Sequence, residues 1–155
     1  MSLRASVRNV RVVMCALTVL ALSGCSRTPP PPTPTVVTLV GEANLNAGGN
    51  AAVVRIYQLA GDANFQRASA QAFWQSDEQE LGDELLGSPR EVQLFPNVTE
   101  SADLVLGDET QFVGFAADLR LPDPDHWRAI YPVDAVRGKT VAVRVGENRL
   151  FVTIP

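Results

Sequence analysis

A reaction needs a nucleophile, a base or a bound metal, and few side chains in this sequence offer one. Histidine occurs once, as His126, and lysine once, as Lys139. His126 stands in Asp123-Pro124-Asp125-His126-Trp127, where flanking acids could draw a cation. Calcium takes six to eight oxygen ligands, and these few neighbouring groups fall short of that. One histidine and two cysteines, Cys15 and Cys25, do not make a multi-ligand zinc site. His126 therefore reads as a solvated loop residue. Paired carboxylates are commoner: Asp77/Glu78/Glu80, Asp83/Glu84, Asp108/Glu109 and Asp123/Asp125. Glycoside hydrolysis sets two carboxyls across a cleft ~5–10 Å apart. Spacing along a chain does not create that arrangement, and such runs ordinarily mark a wet surface. Gly48-Gly49 is not part of a GxxxxGK[ST] phosphate loop. No catalytic, metal or cofactor site is expected. The expected class is a binding or scaffolding module rather than an enzyme.

Cys25 is the residue with an evident covalent chemistry. Arg4, Arg8 and Arg11 precede an apolar run of 11 residues, Val12 to Leu22. That length fits a secretory leader core of ~7–15 residues and falls short of the ~20 that span a bilayer. The run closes on Leu22-Ser23-Gly24-Cys25, which resembles a bacterial lipobox. By that resemblance residues 1–24 are a lipoprotein signal peptide. The Cys25 sulfur receives diacylglycerol, the chain is cut before it, and the new amino group is acylated. Each buried methylene contributes ~0.8 kcal/mol and two acyl chains already anchor stably, so three would hold the protein permanently. Ser26 stands where an Asp tends to retain enterobacterial lipoproteins at the inner membrane. By analogy this points to the outer membrane.

Residues 25–35 then form a spacer. Pro29 to Pro32 and Pro34 favour polyproline II and forbid helix. At ~3.1 Å per residue, about ten residues hold the domain roughly 30 Å off the membrane.

The full chain has 155 residues, 46% hydrophobic and 19% charged, with a formal charge of −4. This composition excludes a mostly disordered chain and a basic nucleic-acid binder. Removing the leader leaves 10 basic residues against 17 acidic ones, about −7, which argues against adhesion to anionic lipid by charge. Cys15 leaves with the leader and Cys25 is acylated, so no disulfide is expected.

Residues 36–155 carry strand patterns. The candidate strands are Val36–Ala43, Ala52–Leu59, Arg90–Phe95, Ser101–Leu106, Gln111–Leu119, Trp127–Val133, Lys139–Val145 and Asn148–Ile154. Turn residues separate them, including Asn44 to Asn50, Pro96-Asn97, Gly107-Asp108 and Gly146-Glu147. Short strands with frequent turns indicate an all-β sandwich or barrel. Gly114 within a strand suggests a bulge or a close approach. Between the second and third strands, Phe65, Ala68, Ala72 and Phe73 fall on one helical face. That predicts one or two short helices covering an edge or an open end of the sandwich. Arg55, Tyr57, Trp74 and Trp127 are read as structural.

A further resemblance rests on an ordered set of residues. Val53-Val54-Arg55-Ile56-Tyr57-Gln58-Leu59 is followed by Phe65, Phe73-Trp74 and Leu81-Gly82-Asp83-Glu84-Leu85-Leu86. Phe112-Val113-Gly114-Phe115-Ala116-Ala117, Leu119-Arg120 and Trp127-Arg128 come next. With the lipobox, this order resembles the type VI secretion lipoprotein family TssJ (VasD/SciN). The resemblance implies a transthyretin-like two-sheet β-sandwich with a helical segment between the second and third strands. It implies an outer-membrane lipoprotein facing the periplasm. Its partner would be the periplasmic C-terminal part of a TssM-like (IcmF-like) inner-membrane protein, with TssL joined indirectly. The implied contact is the loop between the first two strands: Asn44, Leu45, Asn46, Ala47, Gly48, Gly49, Asn50 and Ala51.

Alternation gives the same end of the molecule. The anchor enters at the start of the first strand, so that loop lies at the far end. Pro96 to Glu100 and Arg120 to His126 should lie beside it. The competing reading is a periplasmic lipoprotein that binds peptidoglycan or a small solute in a groove.

Overall fold

The computed structural model describes residues 33–155. Cys25, the leader and most of the proline spacer lie outside them. The order is β1 (Thr35–Gly41), α1 (Leu45–Gly48), β2 (Ala52–Leu59), α2 (Ala63–Arg67), α3 (Ala70–Gln75), α4 (Asp77–Leu81), β3 (Arg90–Leu94), β4 (Thr99–Leu104), β5 (Phe112–Asp118), β6 (Arg128–Pro132), α5 (Val133–Val136), β7 (Thr140–Val145) and β8 (Leu150–Thr153). A 3-10 turn, Gly82–Glu84, follows α4.

The strands form two four-stranded sheets, β4-β1-β7-β8 and β3-β2-β5-β6. Successive strands alternate in direction, so neighbours of unlike parity pair antiparallel. The exception is β1 with β7, both odd, which pair parallel. The inner faces meet in one core that includes Val37, Leu39, Val54, Ile56, Leu94, Phe115, Val141 and Val143. Period-two alternation places these residues: β1 reads buried and half-buried in strict turn.

β2 is buried on both faces. Ala52, Val54 and Ile56 face the sandwich core, while Tyr57 and Leu59 face the helices. The insertion thus covers the outer face of the second sheet rather than an edge or open end. It is also more broken than the periodicity predicts. Ala68 is extended, and Ser69 starts α3 by accepting the Ala72 amide on its side chain. Ser76, at φ −162°, separates α3 from α4. Phe65, Phe73, Tyr57 and Trp127 pack edge-to-face with centroids 5.2–5.8 Å apart. Gly114 makes room for this cluster, since a Cβ there would lie 2.9 Å from the Phe65 ring. That is the close approach expected at this glycine.

Polar contacts fix the insertion. The Tyr57 hydroxyl donates to Asp77 Oδ2 at 2.7 Å, and Arg55 Nη1 reaches the same oxygen at 3.0 Å. Burial and the bond to Asp77 raise the Tyr57 pKa far above its usual value, so the hydroxyl stays a donor. Arg55 Nε also donates to Glu91. Arg128 donates to the Gln66 and Ala68 carbonyls at the C-terminal end of α2 and lies 4.6 Å from the Trp127 ring. Arg55 also lies 5.1 Å over the ring of half-buried Trp74, so all four residues expected to be structural pack within this region.

Candidate functional site

Strict alternation gathers every connection that follows an odd strand at one end. These are Glu42–Ala51, Phe95–Val98, Leu119–Trp127 and Gly146–Arg149. The sequence analysis placed the first three there; the β7–β8 turn is the fourth. Thr33 and Pro34, where the described chain begins, lie at the opposite end. There the Thr35 hydroxyl donates to the Val136 carbonyl at 3.0 Å.

The four loops are tied into one platform. Gly41 N donates to Val98 O at 3.0 Å and Asn97 N to Gly41 O at 2.9 Å. Asn46 N and Ala47 N donate to Gly146 O and Glu147 O at 3.1 and 2.9 Å. Asp123 N donates to Asn148 O, and Leu150 N to His126 O. Arg149 and His126 both reach the Asp123 carboxylate, at 3.3 and 3.0 Å. The His126 bond and the Asp125 amide hold the Asp123 carboxyl below its ordinary 3.8.

The β1–β2 connection has an unusual backbone. Asn46, Ala47, Gly48 and Gly49 have φ of 49, 59, 93 and 96°. This is a single left-handed turn, closed by Gly49 N to Leu45 O at 2.8 Å. Glycine takes such angles freely and asparagine tolerates them; Ala47 is strained by about 1–2 kcal/mol. Surrounding contacts hold it in place. Leu45 is fully buried in the core. Asn46 Nδ2 donates to Ala51 O at 2.6 Å, and its Oδ1 accepts the Arg120 amide at 2.8 Å. Asn50 Nδ2 bonds the Asn46 and Ala47 carbonyls.

The eight expected contact positions thus divide. Leu45 and Asn46 face inward and position the loop. Asn44, Gly48 and Gly49 are exposed, and Ala47, Asn50 and Ala51 are half-buried. The neighbouring loops add Phe95, 46% exposed, and Leu121, 71% exposed. Large apolar side chains left open beside a rigid turn suit a macromolecular contact.

Of the acidic pairs, Asp108 and Glu109 line an open recess of about 420 Å³ with Gln58, Gly87 and Thr110. Asp77 is held by Tyr57 and Arg55, Glu84 accepts the Asn64 amide at 2.9 Å, and Asp123 belongs to the platform. Among the described residues no group of three His, Cys, Asp or Glu could hold a metal. A recess of about 190 Å³ lies between Asn46, Val53, Gln93, Asp118 and Arg120. Small-molecule sites usually enclose ~300–1,000 Å³ with apolar walls, and this one is smaller and polar. Nothing in the sequence patterns singled out this recess, because its walls come from β1–β2, β3 and β5.

The sequence profile of the family described as Type VI secretion lipoprotein, VasD, EvfM, TssJ, VC_A0113 matches residues 33–148. No curated protein matches the sequence significantly. The T6SS lipoprotein TssJ1 from Pseudomonas aeruginosa is similar, with 26% identity and a TM-score of 0.70 over 81% of this chain and 98% of that one. A chain of a structure described as the type VI membrane complex has 25% identity and a TM-score of 0.71, over 78% and 98%. A chain in a structure described as the T6SS protein TssM C-terminal domain from EAEC aligns at TM-score 0.68 over 77% and 97%. At 24% identity that last likeness is one of fold.

Proposed function

The chain belongs to the type VI secretion lipoprotein family, and on that premise we propose that it is a scaffold of the type VI membrane complex. It is anchored in the outer membrane through acylated Cys25 and faces the periplasm. It binds the periplasmic domain of a TssM-like (IcmF-like) inner-membrane protein through its end loops, and TssL joins the assembly through that partner.

One observation carries the reading: the four-loop platform lies at the end opposite the chain's entry at Thr33. A spacer and lipid attached at that entry would present the platform to the space between the membranes. A partner rooted in the other membrane reaches the platform without passing the anchor. The left-handed turn supports the same reading, because strained backbone held by many contacts keeps a fixed shape for docking. The likeness to a chain of a type VI membrane complex fits this role.

The test is calorimetry of residues 26–155 with the periplasmic part of the cognate TssM-like protein. Saturable binding is expected. Asn44→Arg, an exposed change, and Gly48→Asn, which keeps the left-handed backbone, should each weaken it about tenfold or more. Absence of binding at high protein concentration would overturn the proposal.

A further inference from the structure

Two recesses flank a short charged ridge at the rim of the platform. Asp118 ends β5 and Arg120 follows two residues later, and both side chains are exposed. On one side of them lies the recess bounded by Asn46, Val53 and Gln93. On the other lies a recess of about 240 Å³ bounded by Gln71 and Trp74 of α3 and by Pro122. Asp118 and Arg120 line both, so they form the wall between them.

Several charged groups of this face are engaged: Glu42 with Arg144, and Asp123 with His126 and Arg149. The ion pairs among the described residues are Arg55–Asp77, Arg55–Glu91, His126–Asp123, Arg144–Glu42 and Arg149–Asp123. Neither Asp118 nor Arg120 belongs to one. Partial burial raises the Asp118 carboxyl above its ordinary value, and the charge of Arg55 only partly opposes that. A carboxylate whose lost hydration is only partly offset is one that a cation from outside would stabilise. The backbone beneath the ridge is fixed: Asp118 pairs with Val53 of β2, and the Arg120 amide is bonded to Asn46. The ridge therefore abuts the β1–β2 turn on a shared frame.

We propose that the Asp118–Arg120 ridge and its two recesses are a specificity-determining extension of the loop platform, receiving a segment of the partner that carries a base and an acid. This inference rests on the proposed function. The base meets Asp118 and the acid meets Arg120, while flanking side chains settle into the recesses. Opposite charges two residues apart set the order in which the partner must present its own. A segment with the reverse order brings like charges together, which rejects wrong partners and fixes register. The footprint thus runs from the left-handed turn across the ridge to α3, joining the helical insertion to the docking end.

The experiment measures binding of residues 26–155 to the periplasmic part of the cognate TssM-like protein. Asp118→Arg and Arg120→Asp should each weaken it about tenfold or more. The neutral pair Asp118→Asn/Arg120→Gln should bind more weakly and lose most of its dependence on salt. Thermal unfolding of the neutral pair should match the parent, since neither side chain belongs to an internal ion pair. Undiminished binding by both charge reversals, alongside weakened binding by Asn44→Arg, would overturn the ridge and leave the proposed function standing. Failure of the unaltered domain to bind would overturn the proposed function and this inference with it.

Discussion

Asn46 holds the left-handed turn in place with one side chain. Its amide joins Ala51 to the β5–β6 loop through the Arg120 N–H, and its own φ of 49° suits asparagine better than alanine. Asn46→Ala removes both bonds, leaves the Arg120 amide without that acceptor, and strains the backbone. Urea denaturation should show a loss of about 2–4 kcal/mol, with hydrogen exchange fastest in Glu42–Ala51. Asp123 gives a pH signature at the same platform. Its folded pKa lies below the ordinary 3.8, chiefly through the His126 bond and then the Asp125 amide. Its contribution is fully present above the unfolded carboxyl value and is lost as pH falls through the folded value. A carboxyl NMR titration should place its midpoint below 3.8, and His126→Ala should move it back up. Of the contact residues expected from the sequence, the glycines and Asn44 were legible as an exposed turn. The burial of Leu45 and Asn46 was not: Leu45 enters a core built by distant strands, and Asn46 bonds Arg120, 74 residues on, and Gly146 in the β7–β8 turn.

The elements show where local pattern suffices and where it fails. All eight strands follow from alternation and turn residues, and β2 matches its expected bounds, Ala52–Leu59. β4 starts and ends two residues early, at Thr99 and Leu104, because exposed Val105 and buried Leu106 extend the apolar pattern past the last pairing. The helix α5 was missed: Val133 to Val136 is one short turn after a proline, with too little sequence to show a period. The insertion was visible as helical through Phe65, Ala68 and Phe73, but its breaks come from Ser69 and Ser76. Its site on the sheet face depends on Gly114, which reads in isolation as a weak strand position. Gly114→Ala tests that contact. Its Cβ would meet the buried Phe65 ring at 2.9 Å, and a packed core cannot yield without strain. A loss of about 1–3 kcal/mol is expected in chemical denaturation. Near-ultraviolet circular dichroism should change as the Tyr57, Phe73 and Trp127 cluster shifts.

At the scale of the whole molecule, the chain's entry at Thr33 and the loop platform lie at opposite ends of the sandwich. β1 has seven residues, so the sandwich spans about 23 Å from that entry to the platform. Deleting Pro29 to Pro34 should leave binding in solution unchanged and lower secretion in cells, measured by release of a type VI effector. Cys25→Ser should abolish incorporation of labelled palmitate and move the protein from the membrane to the soluble fraction. This layer of organisation was legible in outline from strand parity alone. The pairing of β1 with β7 was not, since periodicity says which face a strand buries and nothing about its neighbour.

That pairing also sets a timetable for acquiring structure. The helix-covered sheet needs only Ala52–Pro132, whereas β1 at the head of the domain waits for β7 near its tail. The hydroxyl of Thr35 finds Val136 across 101 residues. Contacts this distant close large loops and form slowly, so a chain threaded across a membrane from its N-terminus exports β1 long before its partner. In the interval the alternating apolar face of Thr35–Gly41 is open to misplaced strand pairing. Early handling by a chaperone is most needed at that strand, and pulse-labelled exchange during refolding should protect Val37 and Leu39 last.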